Sequence, residues 1–361
     1  MARSKRLFVG VGAIVALLVA MLPAESTARS ANPVVMTRNL YLGADLTPLI
    51  TAQGPGELFA AAADTWLAVE ATNFPERAKL IAQEIDDTSP DVIGLQEVAM
   101  WRSGTFLDPA DADVVEYDFL ASLQTELSNL SLVYSAVVIQ ETFDAEVPAL
   151  ISSGGVLVHM DVRLTQRNVI LVREGVSYTN PRSAYYRIST TYPGIPGVPG
   201  SEVVDLRGWV SVDIAMAPKE KPFRFVNTHL ESFVPPVRTA QAQELANGPL
   251  SGTLKVIAVG DFNSPPTGVQ SGAYQILTDP SNGKMRDAWT EADGADPGYT
   301  FGQDADLTNP NDASSTRIDH VLTGTAAVKT VSAQLVGTTA RTTGGLWASD
   351  HFGVVAELSM P

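Results

Sequence analysis

The chain has 361 residues, of which 45% are hydrophobic, so it can bury a substantial core and is not expected to be disordered. It carries 24 lysines and arginines against 40 aspartates and glutamates, and the resulting charge of −16 excludes a broad basic surface for nucleic acid. A nuclease is not excluded, because a metal ion and a few local arginines can supply positive charge where the chemistry occurs.

The N-terminus has the pattern of a secretory signal peptide. Basic residues within the first six positions precede an apolar run over residues 7–22, and small residues follow at 26–28. The run is shorter than the roughly 20 residues that span a bilayer comfortably, so cleavage is favoured over an uncleaved anchor. We therefore predict that residues 1–28 are removed, that the protein is secreted, and that the mature chain has no transmembrane segment.

An exported chain without cysteines relies on the size of its core or on a bound metal rather than on disulfides. Removal of residues 1–28 leaves 21 basic and 39 acidic residues, a charge of −18. The mature protein is thus expected to be strongly acidic.

Strand-like apolar runs and helix-like segments are mixed along the rest of the chain. The strand-like runs lie at 34–37, 91–95, 132–139, 155–160, 168–172, 208–214, 223–227, 256–259, 318–322 and 353–358. The helix-like segments lie at 57–72, 75–85, 117–130 and 238–246. This order indicates an α/β protein with more than one sheet layer. The Pro/Gly-dense segment 192–202 is interpreted as a surface loop rather than a domain boundary, because the strands on both sides of it are alike.

The stretch VIAVGDFNSPP, residues 256–266, runs a buried strand directly into an acid and an amide. Because side chains alternate along an extended chain, Asp261 and Asn263 would point to the same face and could serve a common ligand. The alternative is an Asx turn, in which the two residues form only local backbone hydrogen bonds. This stretch alone does not decide between the two.

The chain has only four histidines, and three of them lie where a strand meets a loop. His229, His320 and His351 each follow an asparagine or aspartate by one or two positions. For any single histidine a structural role is the simpler alternative, and His159, which lies in no motif, is assigned to it.

Carboxylate, amide and imidazole groups at strand ends are what metal-assisted phosphoryl chemistry requires. Glu97, Asn39 and Asp350 offer oxygen atoms of the kind that Mg²⁺ prefers, and Mg²⁺ binds phosphate oxygens directly. Histidines can then donate and accept protons. A zinc site is the weaker alternative, because HxxxH and HExxH spacings are absent.

Six short motifs occur in a fixed order along the chain. They are NLYLG (39–43), LQEV (95–98), NTHLE (227–231), GDFN (260–263), RIDHVL (317–322) and SDHFGVV (349–355). Together they resemble the endonuclease/exonuclease/phosphatase superfamily, which includes deoxyribonucleases of the pancreatic type, abasic-site endonucleases, sphingomyelinases and inositol-polyphosphate phosphatases. The resemblance implies a catalytic domain over residues 32–361. Its expected fold is an α/β, four-layer α-β-β-α sandwich of two packed, mainly antiparallel sheets, with the site at one end of the sheets.

The resemblance also implies a metal site. Glu97 matches the metal-binding glutamate of the family and Asn39 the amide near it, while Asp350 resembles a second ligand that binds the ion directly or through water. The expected ion is Mg²⁺, with Mn²⁺ or Ca²⁺ as alternatives.

Five further residues acquire catalytic roles from the same resemblance. Asp261 would position or deprotonate the attacking water, and Asn263 would hydrogen-bond the phosphoryl oxygens. His351 resembles the histidine that contacts phosphate as a base or an electrostatic stabiliser, with Asp319 fixing its tautomer. His229 resembles the histidine that protonates the leaving oxygen. Water would attack phosphorus in line, with Mg²⁺ stabilising the developing charge.

The chain departs from the family pattern at several positions. Tyr41 stands where an acidic or polar residue is common. Asp45 is either an added site residue or a helix cap before TPLI, and we favour the cap. His320 stands where relatives often have a large residue, so we expect it to be structural and to face away from the site. Asn168 and Arg207 lie in segments that could border the pocket.

These observations predict an exported, monomeric, Mg²⁺-dependent phosphodiesterase. Nucleic acid or a nucleotide-like diester is the expected substrate, because the sequence has no clear aromatic-aliphatic hairpin that would enter a bilayer. The alternatives are a sphingomyelinase-like or inositol-phosphate phosphoesterase, and a catalytically dead module that binds phosphorylated ligands.

Overall fold

The computed structural model describes residues 32–360, with the exception of 154–155, 195–201, 218–219, 270–271, 282–284, 293 and 325–326. Ala31–Pro361 forms one compact unit. The signal peptide predicted over residues 1–28 lies outside the described residues, as does most of the Pro/Gly-dense loop.

The described residues form sixteen strands and seven helices. The strands are β1 Val34–Asn39, β2 Val92–Gln96, β3 Met100–Thr105, β4 Val114–Asp118, β5 Tyr134–Ser153, β6 Val156–Arg173, β7 Ser177–Tyr185, β8 Thr190–Tyr192, β9 Val203–Asp205, β10 Gly208–Ala215, β11 Phe223–His229, β12 Lys255–Asp261, β13 Met285–Asp287, β14 Asp319–Gly324, β15 Lys329–Val336 and β16 Gly353–Ser359. The helices are α1 Thr47–Thr51, α2 Pro55–Ala71, α3 Phe74–Thr88, α4 Phe119–Asn129, α5 Pro235–Asn247, α6 Ala273–Thr278 and α7 Ala288–Ala292.

Two large sheets contain most of the strands. The first has the order β15-β16-β1-β2-β6-β3-β4, with β5 paired to β6, and the second has the order β13-β14-β12-β11-β10-β7. Within each sheet one neighbouring pair is parallel, β1 with β2 and β11 with β12, and the other pairs are antiparallel. The sheets are therefore mainly antiparallel, as predicted.

Three apolar layers hold the molecule together. Val92 and Val259 belong to the cluster between the two sheets. On the outer face of the first sheet, α2, α3 and α4 bury side chains such as Trp66 and Ile81. On the outer face of the second sheet, α5 and α6 bury side chains such as Leu245. The result is the four-layer α-β-β-α sandwich, and the predicted fold class is confirmed.

The structure corrects several element boundaries. The runs 155–160 and 168–172, predicted as two strands, belong to the single long strand β6. The helix predicted over 117–130 begins only at Phe119, because β4 occupies the preceding residues. Strands such as β7, whose side chains are almost all exposed, carry no apolar run and were not predicted.

No helix within the described part of the chain is long and apolar enough to cross a membrane.

Candidate active site

The topology brings six polar strand ends to one edge of the sandwich. Asn39 and His229 end β1 and β11, Asp261 ends β12, and Glu97 directly follows β2. Because β1 runs parallel to β2 and β11 runs parallel to β12, each pair ends at the same edge of its sheet. Strands β14 and β16 run antiparallel to β12 and β1, so their first residues lie at this edge as well.

The Asn39 amide connects two carboxylates from different sheets. Its Nδ2 donates to Glu97 Oε1 at 3.2 Å and to Asp261 Oδ2 at 3.1 Å. Its Oδ1 accepts a hydrogen bond from the Tyr41 backbone N–H at 2.9 Å, which supports this orientation of the amide. The second oxygen of Glu97 accepts from the Leu42 N–H at 2.9 Å. The first motif therefore fixes the glutamate at two points.

His351 is held by Asp319 and faces two further carboxylates. Its Nδ1 lies 2.8 Å from Asp319 Oδ2, which also accepts from the Thr300 hydroxyl at 2.7 Å. Its Nε2 lies 3.7 Å from Asp261 Oδ2 and 3.9 Å from Asp350 Oδ1. Burial lowers the pKa of His351, but the charges of Asp319 and Asp350 outweigh it and raise the pKa to about 10. His351 is therefore protonated at neutral pH in this arrangement.

His229 has the opposite protonation state. Its Nε2 lies 3.1 Å from Asn263 Nδ2 and 3.4 Å from Asp261 Oδ2. Because the Asn263 amide can only donate through Nδ2, the imidazole nitrogen accepts this hydrogen bond. Burial, with the positive charges of Arg207 and His351, lowers the pKa of His229 well below its usual value. His229 is therefore neutral.

Crowding of carboxylates raises the pKa of two of them. Burial and the neighbouring charge of Asp319 raise the pKa of Asp261 to about 7. Burial and the charge of Glu97 raise the pKa of Asp350 to about 6 against the opposing charge of His351. Such shifts are typical of sites where protons move or a cation binds.

The GDFN motif forms an Asx turn, and both Asp261 and Asn263 also line the pocket. Asp261 Oδ1 accepts from the Asn263 N–H at 2.9 Å, which is an Asx turn, while Asp261 Oδ2 faces Asn39 and the histidines. Asn263 is not extended as strand alternation implied, because its φ is 49°. A Cβ at Gly260, where φ is 151°, would lie 2.0 Å from the Thr228 carbonyl oxygen, so only glycine permits this approach of β11 and β12.

Three non-glycine residues in or beside the site have left-handed backbone conformations. The φ angles are 55° at Tyr41, 53° at Glu97 and 49° at Asn263. Such conformations cost free energy and persist where the surrounding structure enforces them, often at functional sites. Here each follows a strand end and turns a motif toward the same pocket.

The pocket itself has a volume of about 430 Å³. Its lining includes both histidines, the carboxylates of Asp45, Glu97, Asp261 and Asp350, and one arginine, Arg207. Among the described lining residues, acidic side chains therefore outnumber arginine and lysine side chains.

The sequence model of the Endonuclease/Exonuclease/phosphatase family matches residues 67–351. The chain belongs to this family. Members are phosphoesterase hydrolases that generally use a divalent metal ion, so the chain is identified as a phosphoesterase of this class. No curated protein matches its sequence.

Solved structures of endonuclease/exonuclease/phosphatase proteins have a similar fold. A family protein from Bacteroides thetaiotaomicron is 18% identical, with a TM-score of 0.54, over 91% of this chain and 95% of its own. A mannosyl-6-phosphatase from the same organism is 17% identical, with a TM-score of 0.53, over 91% and 100%. TDP2 from D. rerio, complexed with a single-strand DNA product, is 16% identical, with a TM-score of 0.51, over 91% and 100%. At these identities the likeness is one of fold.

The residues of this family member fit a hard divalent cation. Glu97, Asp261 and Asp350 present carboxylate oxygens to one cavity, and the raised pKa values of the two aspartates show that their charges are not fully compensated. Ligand atoms of Asp261, Asp319 and His351 also lie within 4.8 Å of one another. In that second group, however, Nδ1 of His351 is hydrogen-bonded to Asp319 and is therefore not free to bind a metal ion.

Three fully buried arginines were missed by the sequence analysis. Arg38, Arg77 and Arg238 each donate to backbone carbonyls in the segments that carry the site. The carbonyls are those of His351 for Arg38, of Leu40, Tyr41, Thr72 and Ala348 for Arg77, and of Glu231, Ser232 and Asn263 for Arg238. A signal was present for Arg77, which lies four residues before Ile81 on the apolar face of its helix.

Of the remaining candidate residues, one lines the pocket and two lie outside it. Asp45 accepts from the Thr47 N–H at 2.8 Å, but the N-cap of α1 is Leu46, so the predicted helix cap is not observed, and Asp45 lines the pocket. His320 is buried, and its Nε2 donates to the Ser264 carbonyl at 3.0 Å, so it faces away from the site. His159 is exposed and contacts Phe106.

Of the two possible border residues, only one reaches the pocket. Arg207 lines it and pairs with Asp205 at 2.7 Å. Asn168 is buried and donates to the Gly208 carbonyl at 3.3 Å, outside the lining.

Proposed function

We propose that this protein is an exported, monomeric, Mg²⁺-dependent phosphodiesterase that hydrolyses its substrate by attack of water on phosphorus. The observation that carries the proposal is the pairing of a neutral and a protonated histidine around Asp261, in a pocket rich in hard oxygen ligands. A nucleic acid or nucleotide-like diester is the first substrate proposed, with sphingomyelin and inositol phosphates as alternatives.

The charge of the pocket supports a cation requirement. A phosphodiester is an anion, and four carboxylates against one arginine and protonated His351 would repel it unless further positive charge were bound. Glu97 and Asp350, with Asn39 beside them, would hold Mg²⁺, which supplies charge stabilisation to the phosphoryl oxygens.

Asp261 is placed to orient and deprotonate the attacking water. Its pKa of about 7 means that the carboxylate can take up a proton near neutral pH. Asn39 fixes its Oδ2, and the Asx turn to Asn263 fixes its Oδ1. The carboxylate therefore has one defined orientation toward the pocket.

The two histidines stabilise opposite ends of the displacement. Protonated His351 presents Nε2 to the pocket and stabilises charge on the phosphoryl group. His229 is neutral in the arrangement described and must gain a proton before it can protonate the leaving oxygen. An incoming phosphoryl anion favours that protonation, because a nearby negative charge raises the pKa of an imidazole. Asn263, by releasing its contact with His229, can then donate to a phosphoryl oxygen.

The test is hydrolysis by purified protein lacking residues 1–28. Plasmid DNA, RNA, bis(p-nitrophenyl) phosphate, p-nitrophenyl phosphate, sphingomyelin and inositol phosphates are assayed with Mg²⁺ and with EDTA. We expect EDTA-sensitive cleavage of diesters in preference to the monoester. Hydrolysis of sphingomyelin alone would overturn the substrate proposed first. Tight phosphate-ester binding without any turnover would instead support a dead binding module.

Export is tested separately. Expression of the full chain in a secreting host, followed by N-terminal sequencing of protein from the medium, should show a start near residue 29. Protein retained in the cell with Met1 intact would contradict the proposal.

A further inference from the structure

A second cavity adjoins the catalytic pocket. It has a volume of about 340 Å³ and lies between α1 and α2 on one side and the β5–β6 hairpin on the other, with β8 and β9 closing one end. Leu46, Gln166, Arg207 and Phe233 line both cavities. The two cavities therefore share part of their lining, and the second cavity lies beside the pocket that holds the two histidines.

The second cavity is lined mainly by apolar side chains, both aliphatic and aromatic. Leu49 and Leu58 come from the two helices, and Val147 and Leu164 from the hairpin. The lining differs from that of the catalytic pocket, where carboxylates and histidines dominate. An apolar wall on one side of a phosphoryl site suits a substrate whose two ends differ in polarity.

Three of the four acidic residues at the wall have protein partners, and the fourth, Glu202, is exposed. Asp144 pairs with Arg163 at 3.0 Å, and Asp205 pairs with Arg207 at 2.7 Å. Glu146 accepts from the Ala112 N–H at 2.6 Å. These groups are engaged by protein donors, so the cavity offers few polar contacts to a ligand.

The size of the cavity indicates the size of its ligand. An apolar cavity of about 150 Å³ is enough to bind benzene, and small-molecule pockets begin at about 300 Å³. The present cavity is thus large enough for a chain of several methylene groups. Phe233, whose side chain is about half exposed, lies at the junction and contacts the ring of Tyr192.

We propose that this cavity binds an aliphatic chain carried by one of the two alcohols of the phosphodiester. The inference rests on the proposed phosphodiesterase function and favours an amphiphilic diester over the nucleic acid named first above, with the phosphoryl group at the histidines and the chain between α2 and β5. A plain nucleic acid strand would leave the cavity unused.

Binding of n-alkylphosphonates tests the inference without turnover. Methyl-, butyl- and octylphosphonate are titrated calorimetrically into the protein with Mg²⁺. Each methylene removed from water is expected to tighten binding about fourfold until the cavity is filled. Hydrolysis of methyl p-nitrophenyl phosphate is measured in parallel, because this short diester needs the catalytic pocket alone.

Three variants test whether the dependence of affinity on chain length arises in the second cavity. Val147→Trp fills the cavity from β5, and Leu49→Gln makes its wall polar from α1, a short helix with no fully buried residue. Ile139→Trp is the matched control, since Ile139 lies on the same strand, is 48% exposed and lines neither cavity. We expect the first two to lose at least tenfold in octylphosphonate affinity while retaining methylphosphonate binding and hydrolysis of the methyl diester. Ile139→Trp should retain octylphosphonate affinity, methylphosphonate binding and hydrolysis of the methyl diester.

The outcomes separate the two proposals. Equal affinities for methyl- and octylphosphonate, or equal octylphosphonate affinities in Val147→Trp and Ile139→Trp, overturn the aliphatic site and leave the phosphodiesterase standing. Chain-length dependence that Val147→Trp abolishes, together with no hydrolysis of any diester, supports the aliphatic site and contradicts the phosphodiesterase.

Discussion

His229 and His351 both approach Oδ2 of Asp261 and yet differ in charge. Burial and then the charge of Arg207 lower the pKa of His229, whereas the charge of Asp319 overcomes burial and raises the pKa of His351. Residues with separated pKa values are suited to complementary proton transfers. The predicted roles of these histidines can be separated by kinetics.

Substrates with different leaving groups test His229. His229→Ala should lose about 10² to 10⁴ in rate on a diester with a poor leaving group, the range usual for general acid catalysis. A diester with an activated leaving group needs little protonation, so its rate should fall much less. His351→Ala should slow both substrates by similar factors, because it disturbs the phosphoryl group and the water. The measurement is kcat/KM for p-nitrophenyl and alkyl diesters.

Circular dichroism and thermal unfolding of both variants provide the folding control. If His229→Ala is folded and slows both substrates equally, His229 does not protonate the leaving group and is a structural residue of the strand end.

Glu97 is the residue through which metal dependence can be tested most directly. Glu97→Gln keeps the volume and one acceptor but removes a charge, so the Mg²⁺ concentration for half-maximal activity should rise at least tenfold. Asp45→Asn is the matched comparison, because an asparagine can keep the local hydrogen bond to the Thr47 N–H. Its Mg²⁺ requirement should stay unchanged. An equal rise in both variants would make Asp45 a site residue as well.

The sequence predicted which residue types gather at the site better than it predicted their contacts. Asp261 and Asn263 were expected to share a face by strand alternation. Asn263 instead adopts a left-handed conformation, and it reaches His229 through that turn. The bond of Asn39 to Asp261 joins two sheets, and no local pattern specifies such a contact.

Helix α3 supports the site through one side chain. Arg77 donates to carbonyls on both the first motif and the segment before His351, and burial lowers its pKa to about 10, so it stays charged at neutral pH. Arg77→Met would leave these buried carbonyls without donors, and we expect a loss of about 3 kcal/mol in the free energy of unfolding. Activity below the unfolding temperature should fall as well, because two motif segments lose their common anchor.

Lys79→Met is the control on the same helix. Lys79 is exposed and forms an ion pair with Glu76, so its removal should leave the free energy of unfolding nearly unchanged. Urea unfolding measures both variants. Equal and small effects would show that the Arg77 contacts contribute little to stability or to the site.

Buried strands and amphipathic helices were predicted, whereas exposed edge strands were not. β12 and β11 are buried along nearly their whole length and appear as apolar runs. β7 lies at the edge of the second sheet with exposed side chains, so its sequence resembles a loop. Pairing to β10 makes it a strand, and that partner is distant in the chain.

The four-layer architecture followed from the order of six motifs, and the structure confirms it. The order of strands within each sheet could not be predicted from the sequence. For example, β1 lies between β2 and β16, which are far apart in the sequence. Such pairings depend on long-range packing rather than on local periodicity. The two parallel pairs they create explain why Asn39, Glu97, His229 and Asp261 meet at one edge.

The stability of the fold should depend on pH through His320. Burial, reinforced by Arg317 and opposed by Asp287, lowers the pKa of His320 to about 4, against about 6.5 for an unfolded chain. Between these values the unfolded state binds a proton that the folded state does not, so stability falls as pH decreases from 6.5 to 4. The loss should reach about 2 kcal/mol by pH 4.5.

His320→Gln removes this titration while its amide can still donate to the Ser264 carbonyl. The difference in free energy of unfolding between wild type and variant, measured in urea, should therefore shift by about 2 kcal/mol in favour of the variant between pH 7.5 and 4.5. A constant difference between wild type and His320→Gln at the two pH values would mean that His320 binds its proton equally well in the folded and unfolded protein.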